Sequence, residues 1–166
     1  MVRRPAQAVL VLSLVASALN AQQSGPAAGA VLHEVKAVQV EPTVVPNPGK
    51  VKDPSAAGVV EDSLKDAFRQ ADIQVADEAP VRAHLVLEEF SSGSMAKRMT
   101  VGFGTGRSSI ACRLVLQDAS GKELSSVPIE VRGNKAFNGY EGNGTQRKQA
   151  VSSLEKKLTE QLEKMK

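Results

Sequence analysis

Apolar residues recur at helical spacing in the segment that follows Pro54. The repeating positions are Val60, Leu64, Ala67, Phe68 and Ala71. Side chains three and four residues apart lie on one side of a helix, so this pattern predicts a helix with a single buried stripe. Ser55 stands where an N-cap side chain belongs. Glu61 and Asp62 place negative charge towards the helix start, where the helix dipole favours it.

A second helical pattern begins near Thr145 and continues to the last residues. Its predicted buried stripe is Val151, Leu154, Leu158, Leu162 and Met165. Lys156, Glu160 and Lys164 follow at four-residue spacing, which predicts exposed ion pairs worth about 0.3 kcal/mol each. A coiled coil is the alternative, but the stripe is short, and packing of both helices on a sheet explains it more simply.

Between the two helices, apolar and polar residues alternate as they do in half-buried strands. Strands are predicted at Val31–Val40, Arg82–Phe90, within Met99–Gln117 and at Glu123–Arg132, with a hairpin turn at 118–122. The side chains predicted to face the helices are Ala83, Leu85, Leu87, Ile110, Cys112, Leu114, Leu116, Val127, Ile129 and Val131.

Prolines limit where the remaining chain can go, because a proline lacks the backbone donor that helices and sheets use. The segment Glu41–Pro54 holds four prolines and predicts an extended loop that crosses the domain. Pro128 lies within the last predicted strand and indicates an edge position or a bulge. Ile73–Val75 predicts a short extended piece before Pro80.

This order of elements predicts an α+β fold, a two-layer α/β sandwich. Two amphipathic helices cover one face of a mainly antiparallel sheet of about four strands. The opposite face is then in contact with water or covered by a partner. The residues predicted there are His84, Glu88, Arg113, Glu130 and Arg132, interrupted by the apolar Val86 and Val115.

The first residues have the layout of a secretory signal peptide. Arg3 and Arg4 precede an apolar run over 9–15, and small residues lead to Ala18 and Ala21, each of which fits a cleavage site. A membrane-spanning helix is the alternative, but it needs about 20 apolar residues, more than this run supplies. We therefore predict a signal peptide at 1–21, a flexible leader at 22–30 and one α/β domain at 31–166, in a periplasmic or secreted protein.

Cysteine usage bears on anchoring and on redox chemistry. A bacterial lipoprotein precursor carries a cysteine at its cleavage site, whereas Cys112 is the one cysteine of this chain. We predict that the product is not a lipoprotein and has no transmembrane helix after cleavage. Cys112 has no disulfide partner within the chain, and its inward position predicts a buried, inert thiol.

Charge and aromatic content argue against nucleic-acid binding. The formal net charge is +3, and loss of Arg3 and Arg4 leaves 19 basic against 18 acidic residues, or +1. Nucleic-acid binding favours a clustered basic face and aromatic side chains for stacking. This chain has no tryptophan, four phenylalanines and one tyrosine.

The residues predict no catalytic set, no metal site and no cofactor. The segment 102–108 lacks the third glycine of a dinucleotide loop and the Gly-Lys-Ser/Thr of a P-loop. His33 and His84 lie on separate predicted strands without further ligands nearby. Glu88 and Glu89 are neighbours on a strand, so they point to opposite faces. We predict that the protein is not an enzyme.

Two segments remain as candidates for a special role. Glycines at alternate positions leave one side of the chain bare, which suits a sharp bend or close packing, so a side chain at Gly104 is expected to destabilise the fold. Lys135, Phe137 and Tyr140 lie among glycines and form a candidate interaction loop. The alternative for that loop is that Phe137 packs against the edge of the domain.

The sequence resembles an uncharacterised family of secreted bacterial proteins, many of them lipoproteins, grouped as a domain of unknown function. The resemblance rests on the spacing R-x-x-x-G-F-G-x-G, formed by Arg98, Gly102, Phe103, Gly104 and Gly106. It implies a small envelope-associated α/β domain, similar in outline to the N-terminal domain of the Tol translocation protein and related envelope accessory proteins. It brings no catalytic residues, and this chain departs from it by lacking the lipoprotein cysteine.

Three functional hypotheses follow. The first is a non-enzymatic accessory or interaction module of the cell envelope, bound to an unknown envelope protein or to itself. The second is a small-molecule or lipid carrier, although the inward residues are too few to line both a core and a cavity. The third is a hydrolytic enzyme without a known motif, which a cluster of titratable residues in one cleft would favour.

Overall fold

The structure, a computed structural model, describes residues 31–91, 108–133 and 143–166. These residues form the strands β1 (Ala37–Val40), β2 (Gln74–Val75), β3 (Val81–Ser91), β4 (Ser109–Asp118) and β5 (Glu123–Arg132), the helices α1 (Ala56–Gln70) and α2 (Asn143–Met165), and a 3-10 turn at Pro48–Lys50. The predicted signal peptide and leader, Arg98, Gly102, Phe103, Gly104, Gly106, Lys135, Phe137 and Tyr140 lie outside the described residues.

The strands join in one sheet in the order β2-β1-β3-β4-β5. The β3–β4 and β4–β5 pairs are antiparallel, whereas β1 runs parallel to both of its neighbours. The expected mixed α/β architecture is present, but the predicted sheet of about four antiparallel strands matches only roughly. A two-residue strand at Gln74–Val75 adds the fifth, and the helix between β1 and β2 returns the chain in a parallel direction.

Both helices pack on the same face of the sheet, side by side. α1 contacts β1, β2 and β3, and α2 contacts β4 and β5. The buried residues include both predicted helical stripes, except that Ala150 rather than Val151 is fully covered. The largest fully buried side chains are Leu32, Leu64, Phe68, Ile73, Leu85, Leu87, Ile110, Leu114, Leu116, Leu154, Leu158 and Leu162. Each such side chain stabilises the fold by about 1.5–3 kcal/mol when it leaves water.

The first predicted strand, Val31–Val40, was placed too early. Only its last four residues are extended in the sheet, and the chain before them turns, with Glu34 at a positive φ of 73°. Leu32 explains the difference, because its side chain is buried and its N–H donates to the carbonyl of Met165 over 2.8 Å. This segment closes one end of the core instead of extending the sheet.

The proline-containing segment does not cross the domain. It continues along the same edge of β3 that β1 uses, with isolated bridges from Val44 to Val86 and from Val51 to Phe90. The N–H of Val44 donates to Leu85, and the N–H of Leu87 donates to Val44, each over 2.8 Å. Positions between the prolines therefore supply the backbone groups that pair, so the prolines lose no ladder bond.

One local prediction was confirmed and one was wrong. Ser55 is the N-cap residue of α1, as predicted, although its side chain makes no capping bond and its hydroxyl donates to Asp53 over 2.7 Å. Glu160 was predicted to pair with Lys156 and with Lys164, but among the described residues neither lysine forms an ion pair with Glu160 within 4.0 Å.

None of the described helices combines the length and the apolar content that a membrane span requires.

Candidate interaction site

Several strands and helices begin or end at one end of the sheet. Ser91, the last residue of β3, pairs with Ser109, the first of β4, and Ser109 pairs with Arg132 at the end of β5. The described residues stop here at Ser91 and Gly133 and resume at Ser108 and Asn143, so they flank the two stretches, 92–107 and 134–142, that hold the candidate segments from the sequence. We call this end of the domain, where α1 and α2 also begin, the sheet end.

A buried contact ties β4, β5 and α2 together at the sheet end. The Gly133 N–H donates to the Ser108 carbonyl over 2.9 Å, and the Ser108 hydroxyl donates to the Gln146 carbonyl over 2.7 Å. Ser108 and Gln146 are both buried. A Cβ at position 133 would overlap the Ser108 hydroxyl, so glycine is required here by space.

A second contact ties α2 to the segment ahead of α1. The Arg147 guanidinium lies 3.0 Å from the Asp53 carboxylate and donates to the Ser55 hydroxyl over 2.8 Å. The same guanidinium stands 5.6 Å from the centre of the Phe90 ring, within cation–π range. One side chain of α2 therefore contacts the proline-containing segment, the start of α1 and the end of β3.

Hydrogen bonds and a nearby charge keep the Asp53 carboxylate of this contact ionised. The Ser55 hydroxyl and then the Ser55 N–H donate to the Asp53 carboxylate, and these two bonds hold the pKa of Asp53 below its usual value, with the Arg147 charge adding to them. Because the carboxylate form is favoured, Asp53 remains a charged partner for Arg147 at neutral pH.

The helix-free face of the sheet carries a second polar group of residues. Glu41 lies 3.5 Å from Arg82 and 3.8 Å from the Nδ1 atom of His84. Further along the face, Arg113 pairs with Glu88 over 2.6 Å. His84, Glu88 and Arg113 lie, as predicted, on the face away from the helices, and the exposed Arg–Glu pairs there contribute little to stability.

The described residues do not converge on a reactive arrangement. No group of three or more His, Cys, Asp or Glu side chains among them could hold a metal ion. Cys112 lies in the core, where burial and, to a smaller extent, the nearby Glu88 charge raise the pKa of its thiol to about 12. The thiol is therefore uncharged and unreactive at neutral pH.

Two grooves that the described residues form along α2 are open to solvent. One of about 520 Å³ lies between the helices and includes Gln70 and Glu155, and one of about 730 Å³ lies between β5 and α2. Charged side chains of α2 line both grooves, and both are open, whereas a carrier site is typically a concave pocket that buries most of its ligand.

The sequence analysis identified the two stretches next to the sheet end, but it missed the residues whose contacts hold the strands and helices together there. Arg147, Asp53 and Ser108 are far apart in sequence, and no short motif links them. The one available signal was local: Asp53-Pro-Ser55 before a helix is typical of a turn in which the aspartate bonds residues further along.

Comparison with known proteins gives a family and a fold. The model of a domain of unknown function, DUF4410, matches residues 50–139. A single-site variant of the PelC dodecamer from Paraburkholderia phytofirmans has a similar structure, with a TM-score of 0.51 and 18% identity over 86% of this chain and 92% of that one. A PelC dodecamer of the same organism in another crystal form gives a TM-score of 0.50 and 17% identity over 81% and 89%. No curated protein matches the sequence.

Proposed function

This chain belongs to the DUF4410 family of domains of unknown function, and we propose that it is an exported, non-enzymatic interaction module of the bacterial cell envelope. In this proposal the signal peptide at 1–21 is removed and the periplasmic domain associates with copies of itself. The sheet end is the surface that meets an envelope partner.

One observation carries the proposal: the described residues that flank both candidate segments lie at the same end of the sheet. Hairpin connections usually need about 2–5 residues, whereas the chain here carries residues 92–107 and 134–142 between described residues. Long connections held by a rigid scaffold are common positions for binding surfaces. Buried bonds at Ser108 and the contacts of Arg147 supply that rigidity.

Self-association is supported by the similarity in fold. The PelC proteins of similar structure are dodecamers, so a domain with this arrangement of sheet and helices can present surfaces that assemble. The likeness to Tol-type accessory domains remains a prediction from the sequence.

The carrier and hydrolase alternatives have less support. A carrier would need an apolar cavity, and the grooves along α2 are lined by charged side chains. A hydrolase would need a nucleophile beside a base, and the candidate thiol, Cys112, is buried away from both grooves.

Export is tested by expressing the full chain in a bacterium, fractionating the cells and sequencing the mature N-terminus. We expect a periplasmic product that begins at Gln22, or at Leu19 if cleavage follows Ala18. An uncleaved chain confined to the cytosol would overturn the proposed export.

The role of the sheet end is tested by site-specific photocrosslinking in the same cells. A photoreactive residue replaces Lys148, an exposed residue near the start of α2. A matched control replaces Lys122, an exposed residue in the hairpin turn at the opposite end. We expect an envelope-protein adduct from position 148 and none from position 122. Equal adducts from both positions would contradict a partner site at the sheet end.

A further inference from the structure

The proline-containing segment lies on the surface of the domain, with few contacts to the core. We call residues 41–55 the strap. None of these residues is buried, and the Val44 side chain is 49% exposed. Val45 and Val51 are partly buried and pack against the core. Because so little apolar surface is covered here, the position of the strap depends on a small number of bonds, which is typical of segments that open locally.

Backbone bonds to β3 hold the first part of the strap. The N–H of Val44 donates to the Leu85 carbonyl, and the N–H of Leu87 donates to the Val44 carbonyl, each over 2.8 Å. Further along, the N–H of Lys50 donates to the Asn47 carbonyl over 3.1 Å, so the middle of the strap bonds to itself. The middle therefore adds little to the hold on β3.

Side-chain contacts with α2 hold the last part of the strap. The Arg147 guanidinium lies 3.0 Å from the Asp53 carboxylate and donates to the Ser55 hydroxyl over 2.8 Å. We call these two contacts the Arg147 clamp. The Arg147 and Asp53 side chains are 31% and 22% exposed, so water can reach the pair and compete with it.

The pairing of β3 with the rest of the sheet does not depend on the strap. β3 is in register with β4 from Val81 to Ser91, apart from the irregularity between Leu87 and Glu89. The side chains of Leu85 and Leu87 belong to the core that the helices cover. The strap can therefore leave without breaking the ladder between β3 and β4.

We propose that the strap opens as a unit while the sheet and both helices stay folded, and that the Arg147 clamp controls how often it opens. In the open form, the Leu85 carbonyl and the Leu87 N–H lose their partners, and this part of β3 becomes an open edge. The clamp lies at the sheet end, so a partner that binds there and competes for Asp53 or Arg147 would open the strap. That consequence rests on the proposed function, whereas the opening is a property of the chain alone.

Two neighbouring amides of β3 provide the test and its internal control. The N–H of Leu87 points to the strap. The N–H of Val86 points to β4, because successive backbone groups of a strand alternate in direction. Hydrogen exchange of the mature chain is followed by NMR at several low urea concentrations, relative to the unprotected rate of each amide. We expect Leu87 to exchange at least about tenfold faster than Val86, with little dependence on urea, since local opening exposes little surface.

A pair of variants tests the control by the clamp. Arg147→Gln removes the charge that holds Asp53, and we expect Leu87 to exchange about tenfold faster than in the wild type. Lys148→Gln changes the exposed neighbour of Arg147 and should leave Leu87 as it was. Exchange of Val86 and a urea unfolding curve report the global stability of each form, so a general loss of stability is separated from opening of the strap.

Two results would overturn the inference. If Leu87 and Val86 are equally protected and respond equally to urea, the strap leaves only when the whole domain unfolds. If Arg147→Gln accelerates Leu87 no more than it accelerates Val86, the clamp does not control the opening. No partner takes part in this experiment, so its outcome is independent of the photocrosslinking that tests the sheet end.

Discussion

At the residue scale, Gly133 shows how much one missing side chain matters. In Gly133→Ala the new Cβ displaces the Ser108 hydroxyl and breaks its buried bond to Gln146. We expect a loss of about 1–3 kcal/mol in the free energy of unfolding, measured with urea.

Two further variants complete this measurement. Gly58→Ala is the control, because its Cβ meets nothing within 4 Å, and alanine in α1 should raise stability by about 0.5–1 kcal/mol. Adding Ser108→Ala to Gly133→Ala removes the overlapping atom, so the double variant should lose less than the sum of the single losses. Additive losses would argue against the overlap.

Cys112 predicts how stability changes at alkaline pH. Burial raises the pKa of its thiol from 9.0 to about 12 in the folded chain. The unfolded chain therefore releases this proton at lower pH, and the contribution to stability is complete below pH 9 and lost as pH rises towards 12.

Alkaline unfolding and thiol labelling check this prediction together. We expect Cys112→Ala to weaken the fall in stability above pH 9. We also expect the wild-type thiol to react with an alkylating reagent at neutral pH only after unfolding in urea. Fast labelling of the folded chain would mean that the thiol is accessible.

At the element scale, α1, α2 and the inward faces of β3, β4 and β5 were predictable, because their side-chain spacing is set by periodicity. The end of β3 was harder. A register shift between Leu87 and Glu89 turns Phe90 into the core, one residue out of the alternation. Such a bulge depends on the partner strand, which local pattern does not reveal.

The course of the proline-containing segment was also hidden from the sequence. Prolines exclude regular pairing but do not show which neighbour accepts the remaining N–H groups. The bonds of Val44 to Leu85 and Leu87 depend on the position of β3 in the folded chain. The contacts of Arg147 with Asp53 and Phe90 were unpredictable for the same reason.

The prediction at the element scale concerns Pro128 and the edge of the sheet. Pro128→Thr returns an outward backbone donor to β5 without removing a bond between β4 and β5, since the pair Arg113–Pro128 is not a bonded one. We expect stability to change little and edge-to-edge aggregation to increase, measured by light scattering during storage. Val127→Thr, on the same strand, is the control. Equal aggregation of both variants would show that Pro128 does not protect the edge.

At the scale of the whole molecule, the predicted domain start at 31 can be tested by truncation. Leu32 is buried and bonds Met165, so a chain that begins at Val31 should unfold at the same urea concentration as one that begins at Gln22. A chain that begins at Val35 loses Leu32 and should be less stable by about 2–5 kcal/mol. No difference between the two truncated chains would mean that the core closes without this turn.

The bond between Leu32 and Met165 has a consequence for the order in which the elements can follow one another along the chain. It places the first and last parts of the core side by side, so a short peptide could join them into a continuous ring. New N- and C-termini could then be placed in the exposed turn at 118–122, between two strands that remain neighbours. The resulting circular permutant would be synthesised from β5 onwards and would still place every layer where it lies now.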